Sequence, residues 1–168
     1  MTDIDLRTEQ EPFKDRYGSD PSSAKLTLTA TGEEQDDVRT CSVDIGRAIY
    51  EAELHEGAGG PGAGACSGDL LLGALAACTQ LTAQAVAANF DIDVDVTVTA
   101  SGQLDLRGTM GVDQEVPVGF TDIGLEVTVT GNIDADTRAA LERITERYCV
   151  VFQTLVDPPM VETAWTFE

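Results

Sequence analysis

SGDLLLGALAACTQLTAQAVAANFDIDVDVTVTASGQLD, residues 67–105, sets two periodicities back to back. Across residues 69–90 there is no proline, and from Leu70 to Cys78 apolar residues crowd every side of a helical projection. A helix without a polar face has nothing to offer solvent, so a buried central helix is expected over about 69–90, with Ser67 as its N-cap. At residue 91 the period changes to two. Ile92, Val94, Val96 and Val98 point one way, and Asp93, Asp95, Thr97 and Thr99 the other. That alternation is a strand with one buried and one wet face.

Working outward, further strands are expected at Lys25–Thr31 and at about 38–45 and 47–54, with Gly46 as a bend. Ser101-Gly102 is expected to turn the chain into a hairpin partner at 103–107, followed by a loop over 108–119. Ile123, Leu125, Val127 and Val129 alternate as another strand. A second helix is expected over about 134–148, with Leu141, Ile144 and Tyr148 as its apolar stripe, and Trp165 and Phe167 suggest a closing strand. Strands, helix, strands, helix, strand is an α+β order with antiparallel sheets, not the strict alternation of a doubly wound fold. Residues 1–24, broken by Pro12, Gly18 and Pro21, read as an N-terminal arm or short helix, and residues 25–168 as a single domain.

Net charge is −20, with two lysines against eight arginines. Such a field repels phosphate, so neither nucleic acid nor an anionic membrane is an expected partner. An acid-rich, lysine-poor surface is expected of a protein adapted to concentrated salt, as in a halophile. The N-terminus is charged and lacks the apolar core of a secretory signal, and the apolar run at 70–78 is short for a bilayer, so a cytoplasmic location is expected.

Four cysteines in a reducing compartment are no disulfide framework by default. With His55 the only histidine and no CxxC, no metal and no cofactor is expected. Gly57, Gly59 and Gly62 fit G-x-G-x-x-G, but no βαβ unit surrounds them and Pro61 removes an amide, so they read as a connection into the helix. Cys78 inside the apolar helix, and Cys149 after the second helix in RITERYCVVFQTL, each read alone as small core residues. Cys41 alternates with Val43 and Ile45 and reads as packed core.

The run quoted above resembles the central helix and following hairpin of the OsmC/Ohr family, where a thiol peroxidase cysteine lies in an LLxxALAAC helix. RITERYCVVFQTL resembles the segment that carries that family's second cysteine, here 71 residues after Cys78. The resemblance spans roughly residues 25–168. It implies an OsmC-like fold in an interlocked homodimer, and an enzyme that reduces organic hydroperoxides. Cys78 would be the nucleophile that becomes a sulfenic acid, and Cys149 the thiol that closes a disulfide with it. A lipoyl- or thioredoxin-type dithiol would then restore both. An apolar setting raises a thiol pKa, so the implied mechanism needs an arginine. Arg47 is the preferred match and Arg39 the reserve, with Asp69 as the acid that orients it or, equally, as a first-turn dipole partner.

Three features depart from the pattern or leave it open. Gly68 stands where many members carry glutamate, and Val150 where the family has proline. Cys66, before the helix, is an alternative resolving thiol. A non-catalytic protein of the same fold, binding a small apolar ligand at its dimer interface, is therefore the second expectation.

Overall fold

The computed structural model describes residues 5–167; residues 1–4, the start of the expected arm, and residue 168 lie outside the described residues. Two compact units divide the chain, residues 1–74 with 99–126 and residues 75–98 with 127–168.

The first unit opens with helix α1, Leu6–Ser19, capped by Asp5, whose carboxylate accepts the Thr8 N–H at 3.2 Å. None of its described residues is buried, and the Arg16 guanidinium lies over the rings of Phe13 and Tyr17. Strands β1 (Thr31–Glu34), β2 (Thr40–Asp44) and β3 (Ile49–Glu53) follow as an antiparallel meander. The latter two fall inside the segments expected at 38–45 and 47–54. The strand expected over Lys25–Thr31 is not formed, since β1 begins only at Thr31 and Leu26 and Leu28 stand 80% and 84% exposed. Alternation supplies an apolar edge, but a strand also needs a ladder partner, and among the described residues none pairs with 25–30.

A two-residue strand β4, Ala65–Cys66, pairs parallel with β3 and delivers the chain into helix α2, Ser67–Asn89. Between β3 and β4 the glycine-rich loop folds back on its own start. A Cβ at Gly60 would lie 1.5 Å from the Leu54 carbonyl oxygen, so only glycine fits there.

Strand β5, Asp95–Gln103, does not turn at Ser101-Gly102 but runs through it. Gly102 serves a close approach instead of a turn: a Cβ there would meet the Phe120 ring at 2.5 Å. The expected hairpin partner at 103–107 is replaced by a short helix α3, Leu106–Thr109, capped by Asp105. The partner of β5 is β6, Asp122–Thr130, the alternating segment around Ile123–Val129.

In the second unit, α2 buries Leu75, Thr79, Ala83, Val86 and Ala87, a stripe at helical spacing. Within one chain its burial is confined to this stripe, and Leu81 remains 66% exposed. By length and composition α2 would also pass for a membrane span, a test that core helices of soluble folds pass as well. Gln80 Nε2 donates to the Val96 carbonyl at 2.8 Å and ties the helix to β5.

Helix α4, Ala135–Tyr148, occupies the range expected for the second helix, capped by Asp134, which accepts the Thr137 N–H at 2.8 Å. A further helix α5, Val150–Val156, follows at once and was not expected. The closing strand is absent: residues 158–167 carry no regular structure, and Trp165 and Phe167 are 81% and 88% exposed with their rings stacked. As at Lys25–Thr31, the pattern is that of a strand and the ladder partner is missing among the described residues.

Candidate functional site

Cys78 and Cys149 come together in the second unit. Cys78 is half-buried on α2, and its carbonyl accepts the Thr82 hydroxyl at 2.8 Å. Cys149 is fully buried, at 0% exposure, in the joint between α4 and α5. Both cysteines are free thiols.

The joint exists because Cys149 leaves helical geometry at ψ 107°. Its N–H still donates to the Thr145 carbonyl, and its own carbonyl accepts from the Gln153 N–H, each at 2.9 Å. One residue thus ends one helix and starts the next without orphaning its backbone groups.

One side chain lies within hydrogen-bond distance of this buried sulfur. The Thr79 hydroxyl lies 3.4 Å from Cys149 Sγ, and Thr79 is itself only 2% exposed. Burial pushes the Cys149 thiol up, but the Thr79 hydroxyl, the Phe152 amide, the Cys78 side chain and the Val151 amide pull it down. The balance falls below the ordinary thiol value.

Thr145 lies one turn before Cys149 on the same helix face. It is 5% exposed, and its hydroxyl has no hydrogen-bond partner among the described residues.

The other expected residues lie in the first unit. Arg47 is exposed in the turn between β2 and β3, and among the described residues it carries no ion pair or hydrogen bond. Arg39 is held by Asp37 at 2.5 Å, which keeps that carboxyl at about 2. Asp69 Oδ2 accepts the Cys66 N–H at 2.9 Å, closing the start of α2 as the return half of a capping box. That bond, the Cys66 side chain and, more weakly, His55 hold Asp69 below the usual carboxylate range. Cys66 is 8% exposed.

At Gly68 a Cβ would meet Phe120 at 3.3 Å and the Cys66 sulfur at 3.5 Å. The position is already enclosed, and no acid from it is available to an arginine. Among the described residues no three His, Cys, Asp or Glu side chains cluster as a metal would require.

Thr79 was not singled out in the sequence. The available signal was a hydroxyl, next to the cysteine, on what becomes the buried stripe of an apolar helix.

Residues 60–164 match the family model described as OsmC-like protein. None of the curated proteins matches the sequence. Among solved structures, an OsmC-like protein from Mycoplasma pneumoniae is similar at 17% identity and a TM-score of 0.64, over 79% of this chain and 89% of that one. An organic hydroperoxide resistance protein OsmC from Legionella pneumophila is similar at 20% identity and a TM-score of 0.60, over 79% and 91%. An organic hydroperoxide resistance protein from Elizabethkingia anophelis is similar at 21% identity and a TM-score of 0.57, over the same shares of 79% and 91%. These likenesses establish the fold.

Proposed function

The chain belongs to the OsmC-like family, and from that premise we propose that it is a cysteine-based peroxidase acting on organic hydroperoxides. The observation that carries the reading is the meeting of two free thiols, Cys78 and Cys149, the side chain of the first acting on the buried sulfur of the second. In the first step the Cys78 thiolate attacks the terminal peroxide oxygen. The O–O bond breaks, the alkoxide takes a proton and leaves as alcohol, and Cys78 becomes a sulfenic acid. In the second, the Cys149 thiolate attacks that sulfur. An S–S bond forms, the S–O bond breaks, and hydroxide leaves and is protonated to water. An external dithiol, of lipoyl or thioredoxin type, reduces the disulfide and is itself oxidised.

A homodimer belongs to this reading. Leu26, Leu28, Leu81, Trp165 and Phe167 are each at least 66% exposed in the single chain, and two strand-patterned segments lack ladder partners among the described residues. A second copy would cover the first and pair the second. The location proposed is the cytoplasm, where thiols stay reduced.

The second reading, a non-catalytic protein that binds a small apolar ligand at the dimer interface, is favoured by one observation. Asp69 is spent on Cys66, and Gly68 offers no carboxylate to orient Arg47. Reacting the reduced protein in high salt with one equivalent of cumene hydroperoxide separates the two. Peptide mapping that finds a Cys78–Cys149 crosslink, lost in Cys78→Ser, supports the peroxidase; four unchanged thiols leave the binding protein.

A further inference from the structure

The buried stripe of α2 is apolar except at Thr79. A valine would fill the same space without burying a hydroxyl, which costs stability unless it is bonded. A threonine within a helix commonly satisfies its hydroxyl on the carbonyl four residues back, as Thr82 does on Cys78. Thr79 instead has Cys149 Sγ as its partner among the described residues, 3.4 Å away and 70 residues on in sequence. Cys149 is fully buried, so solvent does not compete for that contact. The bond also directs the sulfur toward α2, on which Cys78 is the preceding residue.

We propose that Thr79 is a positioning residue for disulfide closure: its hydroxyl donates to the Cys149 sulfur and holds it toward Cys78. The inference rests on the peroxidase reading and assigns Thr79 to its second step alone. Thr79 touches neither the peroxide nor the leaving alcohol, and gains or loses no proton overall. As Cys149 attacks the sulfenic sulfur and hydroxide departs, the hydroxyl keeps the attacking sulfur in line. A hydrogen bond to a charged acceptor is among the stronger ones, so its loss is expected to slow closure about 10- to 100-fold.

The experiment compares the full-length protein with Thr79→Val, Thr79→Ala and Thr79→Ser in high salt. Each is mixed with one equivalent of cumene hydroperoxide and quenched at intervals into dimedone, which traps sulfenic acid. Peptide mapping then gives the rates of Cys78 oxidation and of crosslinking, and urea midpoints show which variants are folded. The expected result is that the folded one of Val and Ala oxidises Cys78 within about twofold of the parent rate. It should crosslink about 10- to 100-fold more slowly, with trapped sulfenic acid accumulating, while Ser restores closure. A parent-like closure rate in Val or Ala, equal slowing of both steps, or failure of Ser to restore closure overturns the assignment and leaves the peroxidase intact. A parent protein that forms no Cys78–Cys149 crosslink overturns both.

Discussion

Thr145→Val should stabilise the protein. Thr145 is 5% exposed on α4, and its hydroxyl has no partner among the described residues. A buried polar group left unbonded costs about 1–3 kcal/mol, and valine removes that cost with nearly the same side-chain volume. The methyl in its place adds apolar burial worth up to ~0.8 kcal/mol. Threonine and valine have similar helix propensities, so the backbone offsets little of the gain. Stabilisation of about 1–3 kcal/mol is expected, which for a chain of this length raises Tm by several degrees, at roughly 2–4 °C per kcal/mol. Urea titration followed by far-ultraviolet circular dichroism measures it, at fixed salt and protein concentration so that association does not enter. Thr79→Val is the control: its hydroxyl is bonded, so the same exchange brings no such gain. A midpoint for Thr145→Val at or below that of the parent would refute the reasoning.

Leu75, 2% exposed, is a large side chain fully enclosed in the second unit, so Leu75→Ala should cost about 3–5 kcal/mol in the same titration. With a net charge of −20, the urea midpoint should rise as potassium chloride goes from about 0.1 M to about 1 M, because the screening length shrinks from roughly 10 Å to roughly 3 Å; a flat or falling midpoint counts against self-repulsion. Asp69 has its folded pKa lowered by the Cys66 N–H, so its contribution is present above the unfolded value of about 3.9 and is lost as pH falls through the folded one. Asp69→Asn should therefore lower stability at neutral pH and converge with the parent in acid; a constant difference across that range argues against the bond.

The elements legible from residue pattern were those whose pattern and partner lie within the chain. Central helix α2 showed as an apolar run, β6 as an alternation, and α4 as a helix started by Asp134, although Tyr148 of its expected stripe is 64% exposed and Thr145 is buried in its place. Residues 25–30 and 165–167 also alternate, yet form no strand among the described residues. Alternation reports which face wants burial and says nothing of what pairs with the edge. Ser101-Gly102 misled for another reason: glycine marks both turns and close approaches, and Gly102 lies beneath the Phe120 ring. Helix α5 was hidden because the break before it needs no proline or glycine, only the single ψ of Cys149. Cys78 and Cys149 were found through resemblance, since a half-buried and a buried cysteine carry no mark of their own. Thr79 was missed because its role depends on a sulfur 70 positions away.

The joint at Cys149 also determines which parts of the protein can move during a redox cycle. Its N–H is tied to α4 and its carbonyl to α5, so neither backbone torsion turns without breaking a helix hydrogen bond. The sulfur is left with a single rotor, χ1, and Cys78, mid-helix, is in the same position. A crosslink between them would close like a latch on two side-chain hinges, with the helices as the unmoving frame. Amide exchange at Cys149 and Gln153 should then be equally slow in the reduced and oxidised proteins.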